Sequence, residues 1–242
     1  VSAAKYIHQE TTMEITSIAT TSWVYNFKDY VAMYDLSKED LKKSMIDFPA
    51  RISSFNAEAT EKKLNVVSAD PLYHLPPDKM FARAHQLLAA NVAHLKETRE
   101  RLRNASDTSL QQVIELWQHT EQLFLKDYAL GCAEKRYIAA NLPTLPFQMH
   151  QFELSLCTDL MFYHALSSDN IITLFRALSY VASEIRIYPL LDHHGKMTQE
   201  LGPLMLWLQK NNFGVEVREV PYTIQKGGNA MLRVWSNTCE VK

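Results

Sequence analysis

Two aspartates in this chain stand where a carboxylate could accept hydrogen bonds from a bound nucleotide. Asp47 ends a short apolar run that begins at Ser44, and Asp70 follows the apolar run 64–69, 23 residues further on. An acid about 20 residues beyond a tight turn is the spacing at which ribose hydroxyls are held. Each aspartate also has a plainer role open to it. Asp70 precedes Pro71 and serves equally as a turn residue, and Asp47 serves equally as a cap for the turn after it. Other chemistry is poorly supported. His193 and His194 form a solvated turn before Gly195, and His85 and His94 share no helix face cleanly, so a metal site is not indicated. There is no HExxH, GxSxG or Walker loop. Cys132, Cys157 and Cys239 are scattered and form no CxxC pair, which argues for reduced thiols in a cytoplasmic setting. Ser53 and Ser54 read as helix caps rather than nucleophiles.

These residues need elements to position them. The stretch 44–76 predicts a strand, a turn over 48–52, a helix over 55–63 and a strand over 64–69, the opening of a mononucleotide-binding unit. Strands are further expected over 136–140, 152–157, 184–190, 215–220 and 230–235, the last two as a hairpin around Gly227 and Gly228. Helices are expected over 170–181 and 201–210. Residues 77–131 break this alternation with two long helical stretches, the second stopped by Gly131. Residues 1–43 read as helices carrying an aromatic cluster, Trp23, Tyr25, Phe27, Tyr30 and Tyr34, at core-like spacing. The whole is expected to form one domain, 1–242. At 242 residues, with formal net charge -2, the chain can bury a sizeable core and advertises no nucleic-acid partner. No apolar run of membrane-spanning length occurs, and the N-terminus lacks a basic-then-apolar leader pattern.

This order, with the stretches IDFPARISSFNAEA (46–59), LNVVSADPLY (64–73), RYIAANLPTLPF (136–147) and FELSLCTDLMFYH (152–164), resembles the class I S-adenosylmethionine-dependent methyltransferases. EIRIYPLLDHHGK and VPYTIQKGGNAMLRV resemble a bacterial subgroup of proposed methyltransferases. The resemblance covers roughly 44–76 and 136–236. It implies an α/β Rossmann-like, doubly wound, mostly parallel sheet of seven strands with an antiparallel C-terminal hairpin. The N-terminal helices (1–43) and the insertion between strands two and three (77–131) stand outside the general fold.

The resemblance also implies a cofactor site. Asp47 would reach the methionine ammonium, Asp70 the ribose, Asn141 the adenine amino group and Leu142 the adenine face, with Thr158 under the sulfur. Pro49, Ala50 and Arg51 would form the first loop. That loop departs from the family pattern, which places glycines there. Arg51 stands at a glycine position, is expected to resist a positive φ, and would repel a sulfonium, weakening the site. The expected activity is methyl transfer to an unknown small-molecule or protein acceptor. No catalytic residue is legible, because in-line displacement rests largely on positioning, although Tyr25, Tyr73 and His164 are acceptor-pocket candidates. The rival reading is a non-catalytic Rossmann-like protein that acts through its helical insertion. A dehydrogenase is disfavoured by the missing GxGxxG.

Overall fold

A computed structural model describes residues 22–162, 166–192, 194–222 and 224–237. Residues 1–21, His164, His193 and Cys239 lie outside that set. Seven strands form one sheet in the order β3-β2-β1-β4-β5-β7-β6. In chain order they are β1 (Met45–Asp47), β2 (Val66–Asp70), β3 (Tyr137–Ala139), β4 (Phe152–Thr158), β5 (Ala182–Tyr188), β6 (Phe213–Glu219) and β7 (Ala230–Ser236). β1 pairs in parallel with β2 and β4, β2 with β3, and β4 with β5. β7 runs antiparallel between β5 and β6. This is a doubly wound, Rossmann-like sheet with an antiparallel closing pair, the architecture that the resemblance implies. The central strands read as apolar runs because both of their faces are covered.

Six α-helices occur among the described residues: α1 (Phe27–Met33), α2 (Phe55–Glu61), α3 (Pro77–Glu97), α4 (Asp107–Ala133), α5 (Ser168–Val181) and α6 (Leu201–Lys210). One face of the sheet, with Met45, Val66, Leu154, Leu156 and Tyr188, packs under α1 to α4. The other face, with Ile46, Ala69, Ile185, Ile187 and Leu232, packs under α5 and α6. Between β2 and β3 the insertion is a helical pair, α3 and α4. Tyr73, Phe124, Tyr128 and Tyr137 seat it on β3, with the rings of Tyr73 and Tyr137 edge to face at 5.3 Å. No helix of the described residues is long and apolar enough to cross a membrane.

Two expectations need correction. Gly131 does not stop α4; the helix continues to Ala133. The glycine is there because a Cβ at that point would collide with the Tyr137 ring. The segment read as N-terminal helices contains, among its described residues, only α1 and a 3-10 turn at Asp40–Lys42, with 22–26 extended. Helix α1 is nonetheless well formed, because the Asn26 side chain caps the Asp29 amide while Asp29 returns the bond to the Asn26 amide. At α2, Ser54 holds the N-cap position, yet it is Ser53 Oγ that accepts the Phe55 amide, at 3.0 Å.

Candidate functional site

The chain runs from β1 outward through β2 to β3 and then crosses back to β4 on the other side of β1, so the crevice beyond the carboxyl ends of β1 and β4 is the switch point at which such sheets bind ligands. Asp47, Asp70, Thr158 and Asp159 all stand at these strand ends.

Asp47 is fully buried. It accepts the Tyr30 hydroxyl at 2.9 Å and, at 3.4 Å, that of Ser68 from the neighbouring strand. Burial pushes its carboxyl up to about 7, against the pull of the Tyr30 bond. Asp70 is also buried, and both of its oxygens serve the local backbone. Oδ2 accepts the Arg51 amide and Oδ1 the Leu72 amide, each at 2.8 Å. Burial raises this carboxyl too, while the charge of Arg51 draws it down.

Arg51 settles the question raised by the missing glycines. Its φ is +52°, the left-handed region a glycine would take freely. The expectation that it would resist this conformation is wrong, and the reason lies in its neighbours. Asp70 holds the Arg51 N–H, and the Tyr73 hydroxyl donates to the Arg51 carbonyl at 2.8 Å. These two bonds offset the cost of a left-handed non-glycine residue, about 1–2 kcal/mol. Tyr73 is therefore a buried clamp on the loop rather than an acceptor-pocket residue.

At the end of β4, Thr158 Oγ1 lies 2.6 Å from the Tyr34 hydroxyl. Asp159, next in sequence, has φ +51° and is buried. Its Oδ1 accepts the Tyr25 hydroxyl over a long 3.4 Å, and its Oδ2 is buried without a well-aligned hydrogen-bond partner among the described residues. Burial raises this carboxyl to about 6, opposed chiefly by the Arg51 charge and less by the Tyr25 hydroxyl and the Trp23 amide. The sequence marks Tyr25 only as an acceptor-pocket candidate and leaves Tyr30 and Tyr34 in the aromatic core. It does not reveal that each hydroxyl meets a strand-end polar group. The one available signal is the four-residue spacing of Tyr30 and Tyr34, which sets both on one side of α1.

Between these groups lies a cavity of about 10 Å³, lined by Tyr25, Tyr30, Pro49, Ala50, Arg51 and Asp159 among others. That is room for roughly one water. Of the predicted cofactor residues, Pro49, Ala50, Arg51 and Thr158 line it, whereas Asp47, Asp70, Asn141 and Leu142 do not. Asn141 is exposed and bridges Thr144, and the Leu142 side chain packs into the core beside Ala140 and Leu145.

No protein-family model matches the chain. A curated relative from Methanocaldococcus jannaschii, itself uncharacterized, is 26% identical over 217 residues, 86% of this chain and 92% of the relative. Among solved structures, magnesium protoporphyrin IX methyltransferase from Synechocystis, with S-adenosylmethionine bound, is similar at TM-score 0.44 and 9% identity, covering 80% of this chain and 70% of that one. An S-adenosylmethionine-dependent methyltransferase from Aquifex aeolicus is similar at TM-score 0.41 and 13% identity, covering 86% and 91%.

Proposed function

We propose that this chain binds S-adenosylmethionine at the carboxyl ends of β1, β2 and β4 and is a methyltransferase of unassigned acceptor. One observation carries this reading. Three buried carboxyl groups, Asp47, Asp70 and Asp159, stand at neighbouring strand ends by the switch-point crevice; Asp159 lines it, and the Arg51 charge acts on Asp70 and Asp159. Such a surplus of buried acid suits a ligand with a cationic end. The orphaned Asp159 Oδ2 is a further acceptor awaiting a donor.

The donor set fits the cofactor; the space does not, in the closed arrangement observed. A cavity of about 10 Å³ compares with roughly 300 Å³ or more for small-molecule sites, so side chains around it must move to admit a ligand. When bound, the cofactor supplies a methyl group on a cationic sulfur. Asp47 and Asp159 would hold its ammonium end, Asp70 would offer its remaining lone pairs to the ribose, and Thr158 would border the sulfur. Asp70 keeps the loop backbone in place through Arg51 and Leu72, and the aromatic wall of Tyr30 and Tyr34 excludes water.

Titration calorimetry with adenosylmethionine and adenosylhomocysteine tests this. Binding with a dissociation constant below about 0.1 mM is expected for the unaltered chain. Arg51→Gly is expected to tighten it several-fold, because glycine keeps φ +52° without strain and removes a competing cation. Absence of heat up to millimolar ligand sinks the reading. The Arg51 side chain and the closed cavity favour a second reading, a non-catalytic protein that works through its helical insertion. Binding created in Arg51→Gly but absent from the parent would favour it.

A further inference from the structure

Three tyrosines close the crevice, and they are not held alike. Tyr30 and Tyr34 belong to α1 and its C-cap, which is fixed at both ends. The Asn26–Asp29 capping box secures its start. At its end the buried Arg186 donates to the Tyr34 carbonyl at 2.8 Å and pairs with Asp40 at the same distance. Their hydroxyl bonds, at 2.9 Å to Asp47 and 2.6 Å to Thr158, are short. Moving either one means unseating the helix.

Tyr25 lies before the cap. The extended segment 22–26 has no strand pairing. Its backbone is tied by the Ser22 amide to Asn91 Oδ1 at 2.9 Å, by a long 3.3 Å bond from the Ser54 amide to the Tyr25 carbonyl and by the Trp23 amide facing Asp159. Its buried side chains rest on ring contacts of Trp23 with Trp117 and of Tyr25 with Tyr30 and Tyr222. Its side chains Trp23, Val24 and Tyr25 line the small cavity. The Tyr25 hydroxyl makes the longest of the three tyrosine contacts and leaves Asp159 Oδ2 unsatisfied. A swing of residues 22–25 about the Asn26 cap would break those ring contacts but neither unwind α1 nor break the Asp47 and Thr158 bonds.

We infer that residues 22–25 are a gate, with Tyr25 as the plug that sits on Asp159 and yields its place to a ligand's cationic end, while Tyr30 and Tyr34 remain as fixed walls. That a ligand enters here rests on the reading proposed above; the motion of the gate can be measured without any ligand.

The buried Cys157 of β4 supplies an internal reference. In a full-length chain with Cys132→Ser and Cys239→Ser, a third substitution, Val24→Cys, puts a thiol in the gate. Reaction with an aromatic disulfide reagent is expected to be at least 100-fold faster at position 24 than at Cys157, which reacts only when the sheet opens. Equal rates overturn the gate, whatever the variant's overall stability, because both thiols report on the same molecule. A second arm uses adenosylhomocysteine. Tyr25→Ala is expected to bind it about tenfold more tightly than the parent, whereas affinity unchanged by removing the ring overturns the plug. Fast labelling at position 24 with no binding in either chain supports the gate and sinks the cofactor reading. Equal labelling rates with tight binding do the reverse.

Discussion

Arg186→Met is expected to cost about 3–5 kcal/mol, the range for removing one partner of a buried ion network. Arg186 is among the largest fully buried side chains. Its Nε donates to Glu184 at 2.7 Å, its Nη2 to Asp40 at 2.8 Å and its Nη1 to the Tyr34 carbonyl. Arg233 and Lys43 share the same acids but are more exposed. Methionine fills much of the volume, so the loss reports on the stranded carboxylates rather than on a cavity. Urea unfolding at pH 7 is expected to show the midpoint falling by about 1–2 M, given a slope of about 3 kcal/mol per M. A loss under about 1 kcal/mol would mean that Arg233 and Lys43 suffice.

The acid limb gives an independent check. Burial pushes both acids up, but bonds from Lys43 and Ser37, with the Arg186 charge, take Asp40 well below the usual carboxylate range. Arg233 and Arg186 also lower Glu184. A lowered carboxylate stabilises the fold above its unfolded value, near 4, and that contribution is lost as pH falls through the folded value. The parent is therefore expected to weaken steeply below about pH 4 and the variant less so. Because Arg186 holds the end of α1, the variant should also loosen Tyr30 and Tyr34 from Asp47 and Thr158.

Much of the fold is legible in the sequence because its cause is local. A strand buried on both faces leaves an apolar run, and 152–157 and 184–190 read that way, within two residues of the bounds of β4 and β5. The apolar spacing places helix α6 at 201–210, the bounds it has. What stays hidden depends on partners distant in sequence. Tyr30 meets Asp47 from 17 residues away and Tyr34 meets Thr158 from 124, so the tyrosines look like ordinary core. The left-handed Arg51 is explained by Asp70 and Tyr73, 19 and 22 residues on. Leu142 reads as a loop residue beside Pro143, yet packs its side chain into the core beneath α5. Asp70 shows both readings of one residue. Its strand-end place suits a ribose acceptor, and its two backbone bonds are those of the turn before Pro71.

Asp47→Asn is expected to stabilise the protein by about 2–4 kcal/mol at pH 8 and to leave it nearly unchanged at pH 4. Burial raises the folded carboxyl to about 7, against about 3.9 in an unfolded chain. Between those values the unfolded chain releases a proton that the folded one keeps. The stability tied to protonated Asp47 is thus complete below about pH 4 and is lost as pH rises through 7. The gap between the two values, at about 1.4 kcal/mol for each tenfold change in proton affinity, sets the upper bound. Asparagine removes the charge yet keeps an acceptor for Tyr30, and its amide can donate to Ser68 Oγ. Asp29 and Asp159, each raised to about 6 chiefly by burial, slope the same way, so the parent is expected to be most stable near pH 5. Urea titrations of both chains at pH 4 and pH 8 check this, and parallel curves would show that Asp47 ionises freely in the fold. The same carboxyl couples stability to ligand. A cationic ligand favours ionised Asp47, so binding at pH 6.5 should release clearly more proton from the parent than from Asp47→Asn, where only Asp159 contributes. Calorimetry in two buffers of different ionisation enthalpy reads that difference directly, and it separates a ligand that pairs with Asp47 from one that merely fills the crevice.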